Sequence, residues 1–261
     1  MSRFITRLKS VSGAAPPSMG FKVTREAVEK PRILLMADIL QYNLKKMADG
    51  LAAADAAVYR VTDLDSATKF TRATGQALSG VPAGLWLNSV DGLNLAKTAD
   101  TAGDFIVFPA ATPLAALKEE KAGKIIEINT LIEPGLLRAA NELPVDAVLI
   151  SAEQGKAMSL TCESLLFFHL CAGLLEKPLL ARVPIDVSLD ELKMLWEAGI
   201  CGVALAIEDE ASLKKLTDLC QEIEKATFPS RRRRRKTEVA LPPVSGITEV
   251  AEEAEEEEED E

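Results

Sequence analysis

Eight short apolar runs, rich in Val, Ile and Leu, recur along this chain at intervals of about 20 to 30 residues, at 32–38, 56–61, 84–88, 104–109, 124–129, 146–151, 179–184 and 202–207. Stretches with helical apolar spacing follow or separate them, at 40–54, 66–78, 114–121, 136–143, 160–175, 189–198 and 212–226. Alternating strand and helix implies right-handed crossovers and a parallel sheet. Eight such units close most naturally into a (β/α)8 TIM barrel, with an open doubly wound sheet as the alternative.

Local start and stop signals agree with this register. Thr112 followed by Pro113 fits an N-cap with proline at the first helical position, and Ser188 with Glu191 fits a capping box. Gly199 after the 189–198 pattern fits a helix C-terminus, and Gly123 is expected to do the same before the fifth strand.

With 261 residues and 48% hydrophobic content, a single barrel domain is the expectation. Its anticipated organisation is an N-terminal leader over 1–30, the barrel over 31–228 and a charged, disordered tail over 229–261. The leader carries Arg3, Arg7 and Lys9 with no acid before Glu26, yet lacks the apolar stretch of a secretory signal. It reads as a helix packed on the barrel, with an organelle transit peptide as the alternative. Runs such as 147–152 and 203–207 fall far short of the ~20 residues of a membrane span, so none is expected. Cys162, Cys171, Cys201 and Cys220 form no C-x-x-C pair and read as small core residues in a reducing, cytoplasmic compartment.

The segment Ser188-Leu-Asp-Glu-Leu-Lys-Met-Leu-Trp-Glu-Ala-Gly-Ile-Cys-Gly-Val-Ala-Leu-Ala-Ile207 resembles the seventh-helix and eighth-strand segment of the phosphate-binding barrel superfamily. The resemblance covers about 20 residues closely and the rest by strand count. It implies glycine-rich loops after strands seven and eight that cradle a phosphate. This chain departs from that pattern, running into Pro184-Ile-Asp-Val-Ser188 and Glu208-Asp-Glu-Ala-Ser212. Carboxylates at Glu208, Asp209 and Glu210 would compete with a bound anion, and they are expected to cap the last helix instead.

Barrel function lives at the C-terminal strand ends, which here carry Asp38, Arg60, Asn88, Glu127, Asn129, Ser151, Glu153, Arg182, Asp186 and Glu208. Alternation sends Ile126 and Ile128 toward the helices and leaves Glu127 and Asn129 pointing inward. Inward charges require partners, and two pairs are anticipated, Glu127 with Arg182 and Asp38 with Arg60. One reading makes Glu127 or Asp38 a general acid or base in lyase or isomerase chemistry. Arg182 and Arg60 then anchor a carboxylate or phosphate, with Asn88, Asn129 and Ser151 also binding the substrate. The other makes the same residues a structural polar plug. Mg²⁺ on Asp38, Glu127, Glu153 and Asp186 fits the preference of that ion for hard oxygen ligands.

Absences narrow the field. The single histidine, His169, lies in the apolar stretch Phe167-Phe168-His169-Leu170 and is expected in the core or at an interface. Catalytic triads and multi-histidine metal sites are thereby excluded. No lysine ends a predicted strand, which argues against a Schiff-base aldolase. No G-x-G-x-x-G follows the first strand, and aromatics make up only 5% of the chain, against base-stacking RNA surfaces.

After Pro229 come Arg231 to Arg235 and Lys236, then a spacer, then ten carboxylates between Glu249 and Glu261. From residue 231 onward six basic and eleven acidic residues give a net of −5, half of the chain's −10. The blocks screen one another, which disfavours nucleic acid as a partner. The tail then reads as a solvated, self-screening segment that tunes solubility, with docking to a protein partner or self-association as the alternative. Two functions therefore stand open: a barrel acting on a small polar or anionic metabolite, and an inactive barrel serving as scaffold or assembly subunit through its tail.

Overall fold

The computed structural model describes residues 2–13, 31–40, 50–61, 68–70, 80–87, 103–113, 122–152 and 156–229. All eight anticipated strands form: β1 (Leu34–Ile39), β2 (Ala56–Val61), β3 (Ala83–Leu87), β4 (Phe105–Pro109), β5 (Gly123–Asn129), β6 (Ala147–Ser151), β7 (Leu179–Val183) and β8 (Ile200–Ile207). Each runs parallel to the next in chain order, and β8 pairs back onto β1 from Leu34↔Gly202 to Ile39↔Ile207. This closure is that of a TIM barrel and excludes the open sheet.

Five helices stand among the described residues: α1 (Arg3–Ser12), α2 (Pro134–Ala139), α3 (Cys162–Leu174), α4 (Leu189–Ala198) and α5 (Glu210–Lys225). The Ser188 and Glu191 capping box opens α4, and Gly199 closes it at φ +108°. The helix expected at 114–121, most of those at 40–54 and 66–78, and the tail from 230 onward lie outside the described residues. The barrel unit is Met1–Arg231. Its last described segment packs home, with the Phe228 ring edge-on to Trp196 at 5.6 Å and the Trp196 indole donating to the Pro229 carbonyl at 2.8 Å.

Strand alternation divides the core in two. Leu35, Ala37, Ile39, Leu85 and Val203 face outward under the helices, while Leu34, Met36, Val58, Phe105, Val107, Ile125, Leu149 and Leu180 fill the barrel. Small residues make room for large ones inside: a Cβ on Gly84 would stand 2.6 Å from the Phe105 ring. Between β7 and β8 the register shifts from Leu179↔Ile200 to Leu180↔Gly202, so Cys201 is the extra residue of a bulge.

The end where the strands begin is sealed by α1. Its amphipathic face buries Phe4, Ile5 and Leu8, with Phe4 5.0 Å from Phe105. Aspartates preceding β2, β4 and β6 receive its polar groups. Asp104 accepts from the Ser2 hydroxyl at 2.7 Å and from the Arg3 and Phe4 amides. Asp55 pairs with Arg7 at 2.8 Å and Asp146 with Lys9 at 2.7 Å. The strongly basic leader is thus matched to carboxylates at the barrel floor.

Two expectations are corrected. Gly123 does not end a helix; it opens β5, and glycine is needed because a Cβ there would meet Ile5 at 2.5 Å and Ser2 at 2.8 Å. Cys162 is exposed rather than in the core, because it lies on the outward side of α3, and His169 is exposed on that same side rather than in the core. Cys171 and Cys220 are buried, and burial pushes each thiol up to about 12, leaving them inert.

Gly123→Ala should destabilise the barrel by about 1–3 kcal/mol and deprotect the amides of α1 in hydrogen exchange, since the added methyl displaces that helix. A second test concerns pH. Burial pushes the Asp146 carboxyl up, but Lys9 and the Lys124 amide outweigh that and hold it below the ordinary aspartate range. A depressed native pKa stabilises above the unfolded value and is lost as pH falls through the native one. The stability gap between wild type and Lys9→Ala should therefore be widest near neutrality and shrink below about pH 4, as read from urea midpoints.

Candidate functional site

At the end where the strands finish, the interior turns polar. The odd strands contribute Asp38 from β1, Trp86 from β3, Glu127 from β5 and Arg182 from β7, each on the inward face of its strand. Such four-membered layers from alternate strands are how TIM barrels fill their cores. Here the layer nearest the mouth is charged. The even strands add Arg60 from β2 and Ser151 from β6.

Asp38, fully buried, sits between two guanidinium groups. Arg60 donates to it from Nε at 3.1 and 3.2 Å and from Nη2 at 3.1 Å. Arg182 donates from Nε at 3.1 Å and approaches from Nη2 at 2.9 Å. Both guanidiniums also address the face of Trp86, with Arg60 4.1 Å and Arg182 5.6 Å from the ring centroid. The Trp86 indole N–H donates to Glu127 at 2.9 Å, and the Ser151 hydroxyl donates to the other Glu127 oxygen at 2.7 Å. One continuous network therefore joins six side chains from six strands.

Its electrostatics are balanced, two guanidiniums against two carboxylates. Burial pulls the Arg182 guanidinium below the ordinary arginine range, with the charge of Arg60 acting the same way, while Asp38 and Glu127 oppose that pull. The backbone of Arg182 is fixed as well, its carbonyl accepting from the Met158 amide at 2.8 Å.

The Asp38–Arg60 pair forms as anticipated. Arg182 is drawn to Asp38 as well, and Glu127, expected opposite Arg182, takes hydrogen bonds from Trp86 and Ser151 and acts on Arg182 through its charge. Asn129 is exposed at the tip of β5, its side-chain oxygen accepting from the Leu131 amide at 3.1 Å. Asp186 is exposed in the turn after β7, and Glu208 is exposed at the end of β8. Asn88 and Glu153 lie outside the described residues. Among the described residues no group of three or more His, Cys, Asp or Glu side chains is placed to hold a metal.

Trp86 is the member that sequence reasoning missed. Its signal was position: in sequence it stands two residues before Asn88, the period at which side chains of a strand share a face.

The N-terminus of α5 is filled by its own side chains. Asp209 is the N-cap, accepting from the Ser212 amide at 2.7 Å, while the Ser212 hydroxyl accepts from the amides of Glu208 and Asp209. Hydrogen bonding to Ser212 lowers the Asp209 pKa. Of the three acids after β8, Asp209 caps the last helix, Glu210 lies in its first turn and Glu208 is exposed before it.

No family model matches the chain, and no curated protein matches it. Solved structures do. The tryptophan synthase of Mycobacterium tuberculosis aligns with a TM-score of 0.56 at 16% identity, over 86% of this chain and 97% of that one. The N-(5'-phosphoribosyl)anthranilate isomerase of Pyrococcus furiosus aligns with a TM-score of 0.53 at 13% identity, over 73% of this chain and 100% of that one. A variant tryptophan synthase alpha-subunit from the same organism gives 0.54 at 12%, over 74% and 98%. What is shared at these identities is the fold: the chain is a TIM barrel.

Asp38→Asn keeps the shape of the side chain but leaves two guanidiniums together without their shared carboxylate. It should destabilise the barrel by about 3–5 kcal/mol in urea unfolding, and a loss under about 1 kcal/mol would refute the clamp as a stabilising element.

Proposed function

We propose that the mouth of this barrel binds a small anionic metabolite, a carboxylate or phosphate ester. Arg60 and Arg182 are its anion anchors, and Glu127 is the general base or acid of a lyase- or isomerase-type proton transfer. The observation that carries this reading is two arginines held side by side on one buried carboxylate at the C-terminal strand ends, where TIM barrels do their chemistry. A shared counter-ion and a tryptophan face fix both guanidiniums before any ligand arrives, which lowers the ordering cost of binding. Glu127 is oriented through both of its oxygens, as a group that must meet a substrate proton in one geometry needs to be.

In this reading Asp38 and Ser151 are positioning residues for Arg60, Arg182 and Glu127. Asn129, at the mouth end of β5, contacts the substrate, and Asn88 is assigned the same role. Mg²⁺ would enter with a phosphate rather than on a protein cage, since Asp38 is already engaged by arginines. The similar isomerase acts, by its name, on a phosphoribosyl anthranilate, a molecule with both a phosphate and a carboxylate, which is the ligand class proposed here. An anion in this barrel would sit on the two arginines, because the N-terminus of α5 already holds Asp209.

A thermal-shift screen of the full chain against phosphorylated and carboxylated metabolites, with and without Mg²⁺, tests the reading. A true ligand at about 100 times its Kd should add roughly 2.7 kcal/mol of stability. That gain should vanish in Arg60→Ala while the unliganded variant stays folded. A panel without a single stabilising compound would instead make the charged layer a structural plug and favour the scaffold reading.

A further inference from the structure

The six side chains of the mouth network do not meet solvent alike. Asp38, Trp86, Ser151 and Arg182 are buried, whereas Arg60 and Glu127 are partly exposed. The two that reach the opening are thus one cation and one carboxylate, and Trp86 sets the distance between them. Arg60 lies on the face of its ring and Glu127 accepts its indole N–H at the edge, so cation and carboxylate stand one indole apart. A molecule that spans them is short, with an anionic end on Arg60 and an acidic C–H at Glu127.

Charge decides which anion fits. Arg60 and Arg182 bring two positive charges and Asp38 takes one, which leaves one for a ligand, with Glu127 close by as a second carboxylate. A singly charged carboxylate balances that remainder. A phosphate monoester, with nearly two charges, exceeds it and meets Glu127 as well as the exposed acids Asp186, Glu208 and Glu210 that follow β7 and β8. The helix starts after those strands are already occupied. At α4 the Ser188 amide donates to Glu191 at 2.8 Å and the Val187 amide to the Pro184 carbonyl at 3.3 Å, and Pro184 itself has no N–H. At α5 the amides of Glu208 and Asp209 donate to Ser212, and the Ser212 amide donates to Asp209.

We propose that the ligand of this mouth is a small 2-oxo monocarboxylate, and that Glu127 enolises it. The inference rests on the reading of the mouth as an anion site and narrows it. The carboxylate sits on Arg60, with Arg182 behind. Glu127 takes a proton from C3: that C–H bond breaks, its electron pair becomes the C2=C3 bond of an enolate, and the carbonyl electrons move onto the C2 oxygen. This oxyanion, next to the carboxylate, falls beside the same guanidinium groups. A carboxylate is a weak base, so the proton it takes belongs beside a carbonyl. Return of a proton from Glu127 to C3 regenerates the acid, and the step balances without a co-reactant.

Two measurements on the full chain test this: calorimetric titration with pyruvate, 2-oxobutyrate, inorganic phosphate and glycerol 3-phosphate, and proton NMR of the two 2-oxo acids in D2O. A 2-oxo acid should bind at least about tenfold more tightly than either phosphate, and its C3 protons should exchange for deuterium faster than in a protein-free control. Glu127→Gln should slow that exchange at least about a hundredfold while Kd stays within about threefold. Arg60→Ala should lose binding and exchange together. The wild-type results decide the matter even if a variant does not fold. Glycerol 3-phosphate binding as tightly as the 2-oxo acids would overturn the inference and leave the anion site standing, and so would a 2-oxo acid that binds without exchange. Binding of none of the four would overturn the inference together with the reading beneath it.

Discussion

The buried carboxylate of Asp38 is the interaction on which this barrel's interior depends. A TIM barrel must fill its centre with side chains, and this one places two arginines and a tryptophan in its uppermost layers. Two guanidiniums so close together would repel one another in a low-dielectric interior. A carboxylate shared between them turns that liability into a cross-brace. Through Asp38 the network ties β1, β2 and β7; through Glu127 it ties β3, β5 and β6. The stacking of both arginines on Trp86 joins the two halves, so six of the eight strands meet in one network whose polar contacts are specific to a single register.

The two ends of the barrel handle charge in opposite ways. At the floor, aspartates outside the sheet meet basic and hydroxyl groups of α1, over a plug that is itself apolar. At the mouth the charges lie inside the wall, stacked on an aromatic ring. The floor is built to be closed, and the mouth presents oriented guanidinium and carboxylate groups at the end from which barrel loops emerge. That asymmetry gives the fold a chemical polarity even though the sheet itself is closely repetitive.

Much of this was legible in the sequence, for reasons that can be assigned to particular residues. The strands declared themselves through short Val, Ile and Leu runs, and inward positions followed from alternation, as with Glu127 between Ile126 and Ile128. Asp38 and Arg60 could be paired because their strands are neighbours. Bringing Arg182 to Asp38 required knowing how β7 reaches β1 past β8, which is a property of closure. Trp86 was overlooked because a tryptophan in an apolar strand reads as core, which it is, while its indole N–H serves Glu127. Gly123 was misread because its reason lies about 120 residues away in α1. Cys162 was misplaced because α3 has no polar face to reveal which side looks outward.

The floor plug has a consequence for how the chain reaches this state. Ser2 bonds to Asp104 across 102 positions and Lys9 to Asp146 across 137, so α1 is synthesised well before the partners it docks on. Until then Phe4 and Leu8 have no apolar seat. Contacts of such long range slow folding, because loop closure must precede any gain. The N-terminal helix is thus made early and docks late, and half-synthesised barrels carry an open lower end. Synthesis order and assembly order run opposite to each other here, with a helix made before every strand acting as the seal beneath them.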